Sequence, residues 1–427
     1  MKKSIKKLLV LMLSVAMVIA LAACGGGGSS EEASSGSAAE GTLTIFNSKS
    51  EIQSDFEALA EQYTEETGVP VEVYYSSEQV AAHLATKYAS NDPYIINMVD
   101  AKDVLSVGAQ YGLDMSDMEW VGDTNAAITV DGKVLGYPVC VEGRGIIYNG
   151  TAIKNALGED FDPATIKTLD DFKAICDKLV AAGMEAPVGI LKDDWSLSAH
   201  YLAQWVEEHS DVDAYVASLK AGEAKVMDDA KFNALMDTFD TLMEYNAFKA
   251  NASSVEREQV EQALSEGQIA FMFGGNWDFA LMKDFDYTGG AGMMPVPQNL
   301  EDEFTGKMLG GGSKYFYIDA SENTTAEEQQ MAKDFLEWLR TSETGMTFIS
   351  ETSGMVSPFG ANTVACSDDL GKTIKEYYDA DKLIPNYQGF PDDHISMMGA
   401  EMQKYLGGQC TREELATAIE NYWKTQG

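Results

Sequence analysis

Histidine and cysteine are scarce in this chain, which has only four histidines and five cysteines in 427 residues. No two of the cysteines form a Cys-x-x-Cys pair. A zinc or thiol-redox site therefore has little from which to be built, and we expect neither a metal nor a cofactor. The cysteines beyond Cys24 are far apart in apolar patterns, which favours buried free thiols and leaves a disulfide as the alternative; they are Cys140, Cys176, Cys366 and Cys410.

Basic residues are also few. Thirty lysines and arginines stand against 68 aspartates and glutamates, and the formal net charge is -38. This charge argues against nucleic acid or anionic lipid as a ligand, because both would be repelled. We interpret the excess carboxylates as a solvated surface, and attraction of a cationic ligand stays open as an alternative.

Long apolar runs are limited to the N-terminus. Residues 8–22 are almost entirely apolar, lysines precede them, and Leu21-Ala22-Ala23-Cys24 follows. A membrane-spanning helix needs about 20 apolar residues, so an uncleaved anchor is the weaker interpretation. The pattern predicts a bacterial lipoprotein signal over residues 1–23, with lipid on the Cys24 thiol. The lipid would hold the mature chain on the extracellular face of the cytoplasmic membrane.

Residues 24–40 are rich in glycine, serine, glutamate and alanine. This composition is too polar to form a core and predicts a flexible tether. The roughly 385 residues beyond it exceed what one hydrophobic core usually serves. We therefore expect two lobes.

The first half of the chain alternates short β-rich runs with helical spacing. Strands are predicted over residues 42–46, 71–75 and 94–99, and helices lie between and after them, the first with Phe56, Leu59, Ala60 and Tyr63 on its inner face. This βαβαβ order is typical of a largely parallel sheet covered by helices. Ligands meet such a sheet at the loops after its strands, here residues 47–51 and 100–103.

A second α/β pattern follows. Residues 137–149 are predicted to form two apolar strands joined by a charged, glycine-flanked hinge. Thr168 and Asp171 predict a capping box for a helix whose inner face is Phe172, Ile175, Cys176, Leu179 and Val180. Further strands are predicted over residues 187–191, 269–273, 293–296 and 315–318, and further helices over about 230–245 and 255–265, around Phe335, and after Thr411.

Six short motifs in one order carry a family resemblance. They are Thr44-Ile45-Phe46-Asn47-Ser48-Lys49, Glu66-Thr67-Gly68-Val69-Pro70-Val71, residues 137–149, Thr168-Leu169-Asp170-Asp171-Phe172, residues 267–272 with Trp277 after them, and Ile384-Pro385-Asn386 with residues 411–415. In this order the chain resembles the extracellular solute-binding proteins of ABC importers, in particular the sugar-binding group that includes maltose-binding protein.

The resemblance implies a periplasmic-binding-protein-like α/β fold, with two lobes joined by crossover strands around a ligand cleft. The N-terminal lobe would comprise residues 41–141 and 298–341, and the C-terminal lobe residues 146–293 and 345–427. The crossovers would fall at residues 142–145, 294–297 and 342–344.

The same resemblance implies the site. Trp277, which follows Asn276 after a strand, stands where the family places an aromatic ring that stacks on a sugar. Trp195 with Asp194 resembles the acidic-aromatic pair of an equivalent loop. Glu142 matches a crossover glutamate that accepts hydrogen bonds from sugar hydroxyls, although a hinge salt bridge with Arg144 is an equal alternative.

Further site residues are expected in loops. Lys49, Asp100 and Asp103 lie at predicted strand ends of the opposite lobe, where a solvated surface role is equally open. Tyr387 and His394 lie in a segment that departs from the maltose pattern, as does the loop at residues 48–51. Maltose itself is therefore not the expected ligand.

The resemblance implies a monomeric, non-enzymatic receptor that closes on a sugar or oligosaccharide and delivers it to ABC permease subunits. Two other classes stay open. One is a binding protein or sensor for another solute such as a polyamine, for which Asp193, Asp194, Asp278, Glu142 and Asp100 would supply carboxylates. The other is an extracellular glycosidase, which would use a carboxylate pair.

Overall fold

The computed structural model describes residues 41–391 and 393–427, which form a mixed β-sheet with helices packed around it. The strands are β1 (Leu43–Asn47), β2 (Val71–Tyr75), β3 (Ile96–Asp100), β4 (Ile128–Val130), β5 (Lys133–Asn149), β6 (Val188–Gly189), β7 (Phe271–Gly275), β8 (Ala291–Met294), β9 (Met308–Ile318) and β10 (Leu383–Ile384).

The α-helices run from α1 to α16 in chain order. They are α1 (Gln53–Thr67), α2 (Val80–Ala89), α3 (Ala101–Asp103), α4 (Ala109–Tyr111), α5 (Gly150–Leu157), α6 (Leu169–Ala181), α7 (Gln204–Glu207), α8 (Val212–Ala221), α9 (Ala230–Glu244), α10 (Arg257–Ser265), α11 (Phe279–Met282), α12 (Ala326–Thr341), α13 (Glu343–Thr347), α14 (Asp369–Asp379), α15 (His394–Leu406) and α16 (Arg412–Lys424).

The strands are ordered β2-β1-β3-β9-β5-β7-β6 across the sheet. β1 pairs in parallel with both β2 and β3, with Leu43 opposite Val71 and Ile45 opposite Ile96. This confirms the predicted βαβαβ unit. β9 then runs antiparallel between β3 and β5 and joins the first unit to the rest of the sheet.

β5 is one continuous strand of 17 residues, so the prediction of two strands interrupted at residues 142–145 is wrong. The strand stays paired throughout, because it changes partners from β9 to β7 and β8. Its glycines serve close packing: a Cβ at Gly145 would overlap the carbonyl of Met294. Whether the strand flexes there stays a prediction.

Most predicted helical faces are confirmed. α1 buries Phe56, Leu59, Ala60 and Tyr63 and ends at Gly68, whose φ of 78° is left-handed, a conformation that glycine adopts without strain. The capping box of Thr168 and Asp171 opens α6. Val180 was wrongly placed on the inner face of α6, because it lies 40% exposed. The strand predicted at residues 187–191 is reduced to β6, two residues long.

Apolar side chains gather in separate clusters around different parts of the sheet. One surrounds β1 and α1, and another surrounds α6, α9 and α16. The division into two lobes with the boundaries given above stays a prediction. The cluster around β1 also takes in Phe348, Ile349, Met355 and Phe359, which follow the predicted crossover at residues 342–344.

Several sequence predictions concern the ends of the chain or its cysteines. The signal peptide, Cys24 and the tether lie outside the described residues. Within the described residues, no helix has the length and apolar character that crossing a membrane requires. Free thiols are confirmed, with Cys140 and Cys176 buried and Cys366 and Cys410 half-buried.

Candidate ligand-binding site

Trp277 is presented by a short turn at the end of β7. Residues 276–278 form a single 3-10 turn directly after Gly275, and the indole is half-buried. The backbone N–H of Gly275 donates to the carboxylate of Asp278 at 2.9 Å, which is fully buried and paired with Arg257. This buried pair fixes the turn, so the half-buried ring of Trp277 is held in place.

The ring of Trp277 lines a groove of about 320 Å³ that we call the Trp277 groove. A recess of about 70 Å³ adjoins it on the other side of Glu142 and Trp277. The groove is also lined by Asp100, Glu142, Arg144, His200, Tyr387, Phe390 and His394, and the recess by Lys49 and Asn276.

Seven of the ten residues predicted for the site therefore come together at the groove and its recess. They are Trp277, Glu142, Asn276, Lys49, Asp100, Arg144 and Tyr387. Trp195, Asp194 and Asp103 do not line either space. The contact of any of these residues with a ligand stays a prediction.

Glu142 pairs with Lys49, with 2.9 Å between Nζ and Oε1. The alternative of a hinge salt bridge between Glu142 and Arg144 is therefore wrong. Lys49 is only 7% exposed. Burial alone would raise the pKa of Glu142, but the charge of Lys49 and hydrogen bonds from Ser313 and Lys49 hold that pKa below its usual value. The carboxylate at the groove is thus ionised, and one of its oxygens already accepts a hydrogen bond from Lys49.

Arg144 is a buried structural clamp. Its guanidinium forms an ion pair with Glu207, donates to the carbonyl of His200 at 2.9 Å and bonds the side chain of Asn386. Glu207 also accepts the backbone N–H of Tyr387 at 2.9 Å. Arg144 thereby ties β5 to α7 and to the segment after β10, and three of its five N–H groups donate within the protein.

Asn276 links β5 to the Trp277 turn. Its side-chain carbonyl accepts the backbone N–H of Gly143 at 2.9 Å, and the residue is 5% exposed. Because the amide is committed to β5, Asn276 keeps Trp277 beside Glu142.

Trp195 and Asp194 lie behind the groove. Asp194 accepts the backbone N–H of Trp195 at 2.8 Å and so begins a π-helical segment, Trp195–Leu202. The guanidinium of Arg257 lies over the Trp195 ring, 5.1 Å from its centroid. Trp195 therefore supports the groove from behind, and its predicted direct stacking on a ligand has no support from its position.

His200 was not predicted from the sequence. Its ring lies between two tryptophans, with centroids 5.3 Å from Trp195 and 4.6 Å from Trp277. Its Nδ1 is buried and has no hydrogen-bond partner among the described residues. Burial and the charge of Arg144 lower the pKa of His200 to about 3. The π-helical segment Trp195–Leu202 places His200 beside Trp277. The residue pattern of this segment does not predict a π-helix.

Asp100 and Asp103 differ in their burial and in their position relative to the groove. Asp100 lines the groove and pairs with Lys314 at 2.6 Å. Asp103 is 1% exposed, and burial raises its pKa. Lys102 is its ion-pair partner at 3.3 Å. Asp103 is thus a buried structural carboxyl.

Aromatic rings close the far wall of the groove. Tyr387 meets the edge of Phe390 at 5.2 Å between centroids, and Phe390 lies 4.5 Å from His394. Burial lowers the pKa of His394 to about 4, so this wall is uncharged at neutral pH. Phe390 was missed, although the segment Gln388-Gly389-Phe390-Pro391 has the composition of an exposed aromatic loop.

Three of the five carboxylates considered for a polyamine site already form ion pairs with cations of the protein. Asp278 pairs with Arg257, Glu142 with Lys49 and Asp100 with Lys314. An ammonium ligand would have to compete with these cations. The groove instead offers aromatic faces bordered by neutral and ion-paired polar groups.

Comparison with known proteins decides the family. Residues 58–380 match the model of a family described as bacterial extracellular solute-binding protein. The chain belongs to this family. The resemblance seen in its sequence is thereby confirmed at the family level.

Similar solute-binding proteins are known from sequence and structure. The chain is 24% identical over 371 residues to the maltodextrin-binding protein MdxE of Bacillus subtilis (strain 168), covering 82% of each chain. Its fold is similar to that of the solute-binding protein RafE in complex with raffinose, with a TM-score of 0.70, 18% identity, and 90% and 99% of the two chains covered. A sugar transporter of Bacillus licheniformis in complex with stachyose gives a TM-score of 0.68 at 17% identity, covering 90% and 100%. These likenesses confirm the periplasmic-binding-protein-like α/β fold.

Proposed function

We propose that this solute-binding protein captures a sugar or oligosaccharide outside the cell and delivers it to the permease of an ABC importer. The observation that carries the proposal is the half-buried ring of Trp277 in a groove that Glu142, Asp100 and uncharged aromatic rings also line. A sugar ring has an apolar CH face and a rim of hydroxyls. It is therefore complementary to a flat aromatic surface with polar groups at its edge.

The similar proteins support the sugar class. Their descriptions name maltodextrin, raffinose and stachyose as what they bind or contain. We propose a neutral oligosaccharide for this chain too, since the carboxylates at the groove are already ion-paired.

Calorimetric titration of the mature protein tests this proposal. The panel is raffinose, stachyose and maltotriose, with spermidine and putrescine as cationic comparisons. We expect at least one sugar to bind and both amines to give no heat. Binding of an amine alone would replace the sugar proposal with the polyamine alternative.

We propose binding without turnover. Chromatography of the sugar recovered after an overnight titration should return the intact compound. Appearance of shorter sugars would instead favour the glycosidase alternative.

We further propose that the protein is a monomer and that its two predicted lobes close on the ligand. If each lobe supplies part of the contacts, the ligand favours the closed state through its differential contacts. At about 100-fold excess over Kd it should stabilise the fold by about 2.7 kcal/mol. X-ray scattering should show a smaller radius of gyration and a monomeric mass. A higher melting temperature without compaction would contradict closure.

The proposed membrane anchor rests on the basic and apolar N-terminal pattern and on the motif Leu21-Ala22-Ala23-Cys24, whose cysteine would carry the lipid. Cys24→Ala should abolish lipid attachment and release the protein from membranes, because the thiol that would carry the lipid is removed. Fractionation of cells that express either form measures this. A processed variant that stays with the membrane would contradict lipid anchoring.

A further inference from the structure

His200 lines the Trp277 groove and has a ring nitrogen whose hydrogen-bonding capacity is not used within the described residues. The charged side chains Glu142, Arg144 and Asp100 of the same groove have partners within the protein: Glu142 pairs with Lys49, Arg144 with Glu207 and Asp100 with Lys314. The Nδ1 of His200 is buried and has no partner among the described residues. Buried polar atoms in native proteins are nearly always hydrogen-bonded, so an exception calls for an explanation.

The position of the ring points to a ligand as the partner. The His200 centroid lies 4.6 Å from that of Trp277, with 48° between the ring planes. The two rings are therefore in contact, and both line the groove in which a ligand is proposed to bind. The backbone carbonyl of His200 accepts a hydrogen bond from Arg144 at 2.9 Å, and Trp195 packs against the ring from the other side. The imidazole is thus held in place before a ligand arrives.

We propose that His200 is a specificity-determining residue that hydrogen-bonds, through Nδ1, a hydroxyl on the edge of the sugar ring stacked on Trp277. This inference rests on the proposed function. Its consequence is that the site selects ligands by hydroxyl position as well as by an apolar ring face.

The charges around His200 keep the ring neutral. Arg144 and Glu142 face it from β5, and Arg257 faces it from α10. Burial and the two arginines lower its pKa to about 3, and Glu142 only partly opposes them. A neutral imidazole has one donor and one acceptor nitrogen. It therefore suits a hydroxyl group, which can both donate and accept a hydrogen bond.

Two variants separate hydrogen bonding from packing. His200→Phe keeps a flat ring between Trp195 and Trp277 but removes both nitrogens. His200→Asn removes the ring but keeps a neutral polar atom close to the position of Nδ1. His209→Asn is the matched control, because the ring nitrogen of His209 already bonds Asp229 at 3.0 Å and the residue lies outside the groove. Circular dichroism and melting temperature verify that each variant folds.

The measurement is the Kd of wild type and variants for raffinose, stachyose and maltotriose. We expect His200→Phe to bind about 10-fold or more weakly, because it leaves a buried sugar hydroxyl unpaired. His200→Asn should stay within about threefold of wild type and His209→Asn should match it. An unchanged Kd in His200→Phe, or an equal loss in both His200 variants, would overturn the proposal. If wild type binds none of the three sugars, the proposed function itself fails.

The protonation state and the NMR signals of His200 give a second readout. Since His200 stays neutral, the wild-type Kd should be constant between about pH 5 and pH 7.5. The imidazole NMR signals of His200, assigned from their absence in His200→Phe, should shift on sugar binding and show no protonation over that range. Protonation near pH 6, or signals that sugar leaves unmoved, would contradict the assigned role.

Discussion

The indole ring of Trp277 occupies the space that a Cβ on Gly275 would need. Gly275 has an extended backbone with a φ of -135°, which any residue adopts. Glycine is required at this position because of the neighbouring ring and not because of the backbone conformation. The last residue of β7 therefore sets the orientation of the proposed stacking surface.

Gly275→Ala should weaken sugar binding by displacing the Trp277 ring. We expect a loss of about 1 to 3 kcal/mol in binding free energy, which is comparable with losing the aromatic contact itself. Calorimetric titration measures it. Gly122→Ala is the control, since a Cβ at Gly122 meets nothing within 4 Å. If Gly275→Ala binds like wild type, the ring does not contact the sugar.

Trp277→Ala should lower affinity by about 1 to 3 kcal/mol, because stacking and apolar burial are both lost. It should also remove the change in tryptophan fluorescence that the sugar causes. Trp338→Ala is the comparison, because Trp338 contacts Tyr63 and Glu66 on α1 and does not line the groove. Equal losses in the two variants would mean that a general change in stability is the cause.

Glu142→Gln should lower the free energy of unfolding by about 1 to 3 kcal/mol at about pH 7, because it weakens a nearly buried charged hydrogen bond with Lys49. The pKa of Glu142 lies below its usual 4.5 in the folded protein. Its stabilising contribution is therefore complete above about pH 4.5 and is lost as the pH falls through the lower folded value.

Urea unfolding at about pH 7 and about pH 3.5 measures this effect. The difference between wild type and Glu142→Gln should shrink at the lower pH. Glu65→Gln, an exposed change on α1, should differ little from wild type at either pH. A difference that grows on acidification would contradict the Lys49 pairing.

Arg144→Met should destabilise the protein by about 3 to 5 kcal/mol, because Glu207 would be left buried without its guanidinium partner. The double variant Arg144→Met with Glu207→Leu should recover part of this loss. Lys154→Met removes an exposed ion pair with Asp160 and should have almost no effect. Urea midpoints of the four proteins give the comparison, and a small effect of Arg144→Met would refute the clamp.

Local patterns predicted the elements that depend on neighbouring residues. β2 has the predicted bounds of residues 71–75, and the inner face of α1 is correct because helical spacing alone determines it. β9 was predicted only from residue 315, although it begins at Met308. Its first part contains Gly310, Gly311 and Gly312, and glycine has low strand propensity.

The contacts within the site could not be predicted from local patterns. Glu142 and Arg144 are neighbours in the sequence, yet their partners are 93 and 63 residues away. Which cation meets which carboxylate depends on the sheet order, and one sequence does not contain that information directly. Trp277 lines the groove and follows the strand end and glycine pair from which its role was predicted, whereas Trp195 resembles a family motif but does not line the groove.

The position of β9 between β3 and β5 has a consequence for how the chain is made. During synthesis, β3 and β5 are complete long before residues 308–318 emerge. Until then each has an edge with unpaired backbone groups, which is a template for pairing with other chains. The newly made protein therefore depends on protection from aggregation for about half of its synthesis, and any fragment that ends before Met308 keeps both edges open.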